Sequence, residues 1–250
     1  MDNFTFNHKH SLNDIGIYSE LKSHPLFAEP KSVYDDISGC DGELDFSANN
    51  EKGRVCFRPR IIELECHFAA DGESREGFMR KTSEIAAWLT TNGYKELYFE
   101  NEPGIVYYAT ALNLFNIEHI TDFSGTFPLV FKCMPFKYSI EKDTVSSNKN
   151  TLIINNDGYY CGFELSISGV ISSGFSIRCG NRSLTVNMPL NQGDTLFIDT
   201  DKMSVFHNGL PALYKCDGDF FELSPGENTI ELVGSFANLN IEASYRKRYL

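Results

Sequence analysis

From Arg60 to Phe68 the chain alternates strictly, with Ile62, Leu64, Cys66 and Phe68 on one side and Ile61, Glu63, Glu65 and His67 on the other. A period of two sends neighbouring side chains to opposite faces of a pleated strand, so this segment predicts a strand with one buried and one mostly wet face. Phe127, Leu129, Phe131 and Cys133 repeat the pattern around Pro128. Proline cannot donate to a ladder, which predicts an edge strand or a strand start there. Between the two strands the period changes. Phe78, Thr82, Ile85 and Leu89 recur at helical spacing with Trp88 beside them, and Asn92-Gly93 offers a stop. The expectation is one helix over about 78–92, packing Phe78, Ile85, Trp88 and Leu89 onto a sheet.

Lys142 to Asn150 is small and polar with little to bury, and it predicts a linker. Beyond it come short alternating segments at Thr151–Ile154, Phe163–Ile167, Phe175–Cys179, Leu184–Met188, Thr195–Asp199, Ser204–His207, Thr229–Val233 and Leu239–Tyr245. Asn208-Gly209 suits a tight hairpin with positive φ at both central residues, while Asp157-Gly158, Asp217-Gly218 and Pro225-Gly226 mark other reversals. Short strands with regular turn signals and no readable helix predict a sandwich or barrel. The fold class expected is mainly β with one helix. Two domains follow, 1–140 with the helix and 141–250 as an all-β sandwich.

Composition narrows the function classes. The 250 residues carry 22 basic and 34 acidic side chains, a formal net charge of −12, which speaks against a general nucleic-acid binder because gripping phosphate needs a basic face. The imbalance runs through both halves, 13 basic against 21 acidic up to residue 138 and 9 against 13 after it. With 42% apolar and 13% aromatic residues there is ample material for a core. The first residues, Met1 to His8, have neither a basic nor an apolar stretch of a secretory signal, and Gly104 to Leu112 is too short and too alternating to cross a membrane. Seven cysteines without a Cys-x-x-Cys pair fit reduced thiols made in a cytoplasm, with Cys66 and Cys133 on the apolar side of their strands.

Candidate chemistry is sparse. His8-Lys9-His10 could set two imidazoles on one strand face, but no third or fourth metal ligand accompanies them, so a solvated polar end is the better expectation. Asp199-Thr200-Asp201 opens like a calcium loop, yet Lys202 and the missing glycine and closing glutamate make it a strand-ending turn. Glu63 and Glu65 share a strand face about 7 Å apart along the chain, a separation a glycosidase could use, although charges at period two ordinarily mark a wet face. Arg246-Lys247-Arg248, between Tyr245 and Tyr249, reads as a solvated strand edge that charge protects. No nucleophile elbow, phosphate-cradling loop or His-Glu-x-x-His helix occurs, so no catalytic residue, metal or cofactor is expected.

Three stretches together resemble the distal tail protein family of long, flexible-tailed bacteriophages of Gram-positive hosts and their prophages. The first is Val33-Tyr34-Asp35-Asp36-Ile37-Ser38-Gly39-Cys40-Asp41-Gly42-Glu43-Leu44, with Cys40 where an arginine is common. The second runs from Arg58-Pro59-Arg60-Ile61-Ile62 through Trp88-Leu89 to Leu97-Tyr98-Phe99 and Val106-Tyr107-Tyr108. The third is Phe131-Lys132-Cys133-Met134-Pro135-Phe136-Lys137-Tyr138. Asn155-Asn156-Asp157-Gly158, Leu196-Phe197-Ile198-Asp199 and Phe220 to Asn228 carry the likeness into the second half.

The resemblance implies a ring-forming, strand-rich N-terminal domain and a peripheral C-terminal β-sandwich, galectin-like or similar to a carbohydrate-binding module. It further implies a structural virion protein at the tail tip, assembled in the host cytoplasm as a homo-hexameric ring. The implied partners are the tail tube protein, a tail-associated lysin-type tip protein and receptor-binding or baseplate proteins. DNA would pass through the channel without specific binding, past a strongly acidic wall. An alternative of another class is a carbohydrate-binding module for host wall polysaccharide. Tyr159, Tyr160, Phe206 and Tyr214 are then the candidate sugar-stacking platforms, each equally explained by core or hairpin packing.

Overall fold

The computed structural model describes residues 2–39, 41–50, 52–70, 72, 74–112, 118–121 and 123–250, with side chains of 118 and 119 left aside. The chain divides into two compact units, residues 1–137 with Leu250 and residues 138–249. Among the described residues the molecule is mainly β with one α-helix, as the alternation predicts.

In the first unit the elements are β1 (Phe4–Phe6), β2 (Lys9–His10), β3 (Ile17–Ser23), β4 (Tyr34–Asp36), β5 (Glu43–Asp45), β6 (Arg60–Ala69), α1 (Arg75–Leu89), β7 (Lys95–Phe99), β8 (Ile105–Ala111), β9 (Glu118–Thr121) and β10 (Ser124–Cys133). Seven of them form one antiparallel sheet in the order β2-β1-β7-β8-β10-β6-β3, with β9 also on β10, while β4 and β5 pair only with each other. Strand β6 buries Ile62, Leu64, Cys66 and Phe68 and turns Glu63 and His67 to water, the face assignment its sequence predicts. The edge expectation for Pro128 is corrected: β10 is interior. Pro128 stands opposite Glu65, and on the other flank β9 reaches Thr126 while β8 pairs from Phe131, so among these registers no donor is demanded of it.

Helix α1 starts three residues before the predicted point because Ser74 caps it, its hydroxyl accepting from the Gly77 amide. It ends at Leu89, with Thr90 extended, ahead of the expected Asn92-Gly93 stop. Phe78, Ile85, Trp88 and Leu89 are buried against the sheet. Trp88 stacks on Phe4 at 5.7 Å between ring centres and donates its indole N–H to the Phe6 carbonyl, so a large apolar ring is buried with its one polar atom satisfied.

β11 (Lys137–Ser139) begins on the last residue of the 1–137 stretch, and the second unit continues with β12 (Asp143–Ser147), β13 (Thr151–Asn156), β14 (Glu164–Ile171), β15 (Phe175–Cys179), β16 (Arg182–Val186), β17 (Thr195–Asp199), β18 (Ser204–His207), β19 (Leu210–Pro211), β20 (Cys216–Gly218), β21 (Gly226–Val233), β22 (Phe236–Tyr245) and β23 (Arg248–Tyr249). Two antiparallel sheets, β12-β22-β14-β17-β18-β19 and β13-β21-β15-β16-β20, enclose one apolar core. This is a β-sandwich, with only a short 3₁₀ turn, Leu213–Lys215, departing from strand and loop. Asn208 and Gly209 both have positive φ, as their hairpin requires. The predicted linker is corrected. Its central residues are β12, paired residue by residue with β22, and Val145 packs on the core. A polar run fits there because an edge strand buries only alternate residues and gains by repelling further pairing.

Candidate functional site

Most of the residues with candidate chemistry are occupied in holding the fold. Glu65 accepts from the Thr126 hydroxyl at 3.0 Å, and Glu63 faces water two residues away on the same strand. His10, expected to be solvated, is largely enclosed: its Nδ1 accepts from the Leu12 and Asn13 amides, which leaves the proton on Nε2 to donate to Glu100 at 3.0 Å. His8 beside it is exposed at positive φ. Asp199 accepts from the Lys202 amide, and Thr200 exchanges hydrogen bonds with the Phe163 backbone, so Asp199-Thr200-Asp201 forms the turn after β17. Burial pushes the Cys133 and Cys161 thiols up to about 12 and raises Cys66 further, which keeps them protonated and unreactive. Among the described residues no three His, Cys, Asp or Glu side chains gather into a metal-binding group. Cys40 lies outside the described residues.

The basic run near the end is the largest local departure from expectation. Lys247 bridges Asp143 at 3.2 Å and Asp157 at 2.9 Å, and Arg248 reaches Asp201 and the Tyr160 carbonyl with its guanidinium over the Tyr138 ring. The Ser139 amide donates to the Lys247 carbonyl at 3.0 Å, which brings the end of the second unit back to its beginning. The run is a clasp. Its acidic partners lie far away in sequence, so the local pattern of charges gives no sign of them.

Two of the three later motifs are staples of the same kind. Buried Asn156 donates to the Tyr159 and Ser224 carbonyls and accepts from the Gly158 amide. Asn228 ties down the turn after Leu223 through Ser224 and Gly226. The candidate aromatic platforms fall in two places. Tyr159 and Tyr160 meet edge to face at 5.2 Å beside β23, and both are half-buried. Phe206 on β18 lies 6.4 Å from Phe197, and Tyr214, on the 3₁₀ turn, is 80% exposed with Lys215 over its ring. Tyr214 alone among the four is exposed.

What sequence reasoning missed is an arm. Between His24 and Arg60 the described residues bury only Ala28, while Leu26, Phe27, Val33, Tyr34, Ile37, Leu44 and Phe46 are all exposed. Its root is built firmly. Arg60, 2% exposed, donates to the Pro25 and Pro135 carbonyls, and His24 contacts the Tyr107 hydroxyl at 3.0 Å. Tyr107 donates to Glu102, which Lys137 approaches at 3.6 Å, so the His24 Nε2 carries a proton and donates to the Tyr107 oxygen. Burial holds His24 below its ordinary value. The Phe57 and Phe136 rings meet at 5.5 Å, and Pro30 bridges Phe57. The second and third resemblance stretches thus join at Arg60 and Pro135, and the first forms the arm's β4–β5 hairpin. The only sequence signal for the arm is that first stretch, apolar and acidic at once.

Two family models match the chain, "Phage tail protein RIFT-related domain" over residues 11–133 and "Siphovirus-type tail component, C-terminal domain" over 159–249. Among curated proteins, the chain is 24% identical over 205 residues to the SPbeta prophage-derived uncharacterized protein YomH of Bacillus subtilis (strain 168), covering 75% of this chain and 76% of that one. The solved SPP1 Dit (gp 19.1) protein, described as a paradigm of the hub adsorption apparatus in Gram-positive infecting phages, superposes with a TM-score of 0.79 at 14% identity over 100% of both chains. A chain of the phage P2 baseplate in its activated conformation with Ca gives 0.52 at 9% identity, over 99% of this chain and 98% of that one.

Proposed function

The chain belongs to the siphovirus-type tail component family, a phage tail protein and virion component, and on that premise we propose that it is the distal hub of the tail. In this reading six copies close into a ring around the DNA channel. The ring joins the tail tube on one side to the tip, baseplate and receptor-binding proteins on the other. The observation that carries it is that both tail-component domains occur in order on one chain, with a full-length likeness to a protein described as an adsorption hub. The physical chemistry agrees. Most of the candidate reactive side chains are held in structural contacts, and seven large exposed apolar side chains fall within one arm, as in a protein that works by assembling.

Copies that contact through two different surfaces close into a ring when the rotation permits. Light scattering on purified protein at high concentration, with electron micrographs of the same sample, is therefore expected to give closed particles of six 28.2 kDa chains. A protein that stays monomeric alone and also occurs as single copies in assembled tails overturns the ring.

A further inference from the structure

We infer that the arm between His24 and Arg60 is the segment by which each copy grips the next, and that its occupied partner is a second copy of this chain. The inference rests on the ring reading and names the surface that would make it.

A two-stranded hairpin standing alone is marginal in water, since it has no third strand and no core. The β4–β5 hairpin is such a pair, with every residue of both strands exposed. Leu26 at 78% and Phe27 at 70% exposure sit where the arm leaves the body, and on the hairpin Leu44 shares one face with Val33 and Phe46, while Tyr34, opposite Asp45, lies on the other. Apolar side chains grouped in this way mark a contact surface rather than scattered exposure. Seven large side chains about half exposed offer on the order of 100 Å² each, roughly 700 Å² together, close to the ~800 Å² per partner of a standard interface.

Charge decides the symmetry. Residues 34–45 hold Asp35, Asp36, Asp41, Glu43 and Asp45 and no basic side chain. By the register, Asp36, Glu43 and Asp45 share one face with Tyr34, so two arms meeting through that face would juxtapose like charges, and the face with Leu44 adds Asp35 from each copy. The arm must therefore land on a different surface of its neighbour. A contact between unlike surfaces repeats from copy to copy and closes into a ring. A permanent cover also has to be present wherever the chain is, in equal number, which a second copy satisfies by construction. The root supports this use. Arg60, His24 and the Phe57–Phe136 contact fix both ends of the arm to the sheet, so it is held out in a defined direction at its base.

The test uses the full chain. Leu26→Ser, Phe27→Ser and Leu44→Ser together remove three exposed apolar side chains and leave both cores untouched. Circular dichroism and melting of the dilute protein should match the unaltered chain, while the concentration needed for half-assembly rises at least ~100-fold, the loss expected from interface anchors. A photocrosslinker at position 44 should join two copies of this chain. If the triple variant assembles like the unaltered protein, or the crosslink in whole tails goes only to another protein, the arm inference is overturned and the ring reading survives. If the unaltered chain forms no ring alone or in tails, both fall.

Discussion

The two units solve the same problem, burying the apolar face of an antiparallel sheet, and they finish it to different degrees. The second unit closes on itself: two sheets share a core, Asn156 and Asn228 tie its turns, and Lys247 and Arg248 fasten its last strand to Asp143, Asp157 and Asp201. The first covers one sheet face with α1 but sends out more than thirty residues that bury almost nothing and rest on a half-buried polar root. The difference teaches where dependence on neighbours lies. A unit whose turns and last strand are tied by its own side chains leans less on a neighbour than one that exposes a coreless hairpin.

The largest effect that would sharpen this contrast is in the first core. Replacing Trp88 with Ala removes the stack on Phe4 and the indole's hydrogen bond to the Phe6 carbonyl, at a cost of about 3–5 kcal/mol. By calorimetry, the first unit's transition should fall while the second's keeps its midpoint. A single transition moving as a whole would show that the units do not melt separately.

Next in size is the second unit's staple. Asn156→Ala takes away the side-chain partner of the Tyr159 carbonyl and the Gly158 amide and one of the two donors to the Ser224 carbonyl, and should cost about 1–3 kcal/mol, read by urea denaturation of the same two-unit chain. If the loss appears in the first unit's transition, or is absent, the self-sufficiency of the second is wrong.

The smallest effect separates the units by acid. His24 is held below its ordinary value of about 6.5 by burial, so unfolded chain binds protons first and the first unit loses stability as pH falls below that value. In the second unit, Asp194 is lowered to about 2 by the Asn191 amide and the Asn208 side chain, so its contribution is complete above about 3.8 and fades only as pH drops toward 2. Melting at pH 7, 5 and 3 should therefore weaken the first unit earlier, and His24→Phe should flatten its response between pH 7 and 5. Equal acid response with and without His24 would reassign the titration.

Alternation made β6, β10 and most strands of the sandwich legible, because one face of each is buried and the period of two survives in the letters. The start of α1 slipped because Ser74 acts by a cap and not by periodicity. β12 was hidden because an edge strand carries the same small polar residues as a linker, and its pairing with β22 lies almost a hundred residues away. Pro128 misled since a ladder position was unused on one flank, a fact of topology. The exposed arm proposed for assembly was hardest to see. Val33 to Leu44 carries it as a short run that is neither apolar enough for a core nor polar enough for a loop, and only exposure in three dimensions shows that nothing within the described chain covers it.

The clasp at Ser139 and Lys247 sets the second unit's entrance and exit beside each other. A module with adjoining ends can be excised, replaced or circularly permuted while the rest of the chain keeps its path. The second unit is thus built as an exchangeable cassette, whose replacement leaves the first unit's own core and sheet as they are.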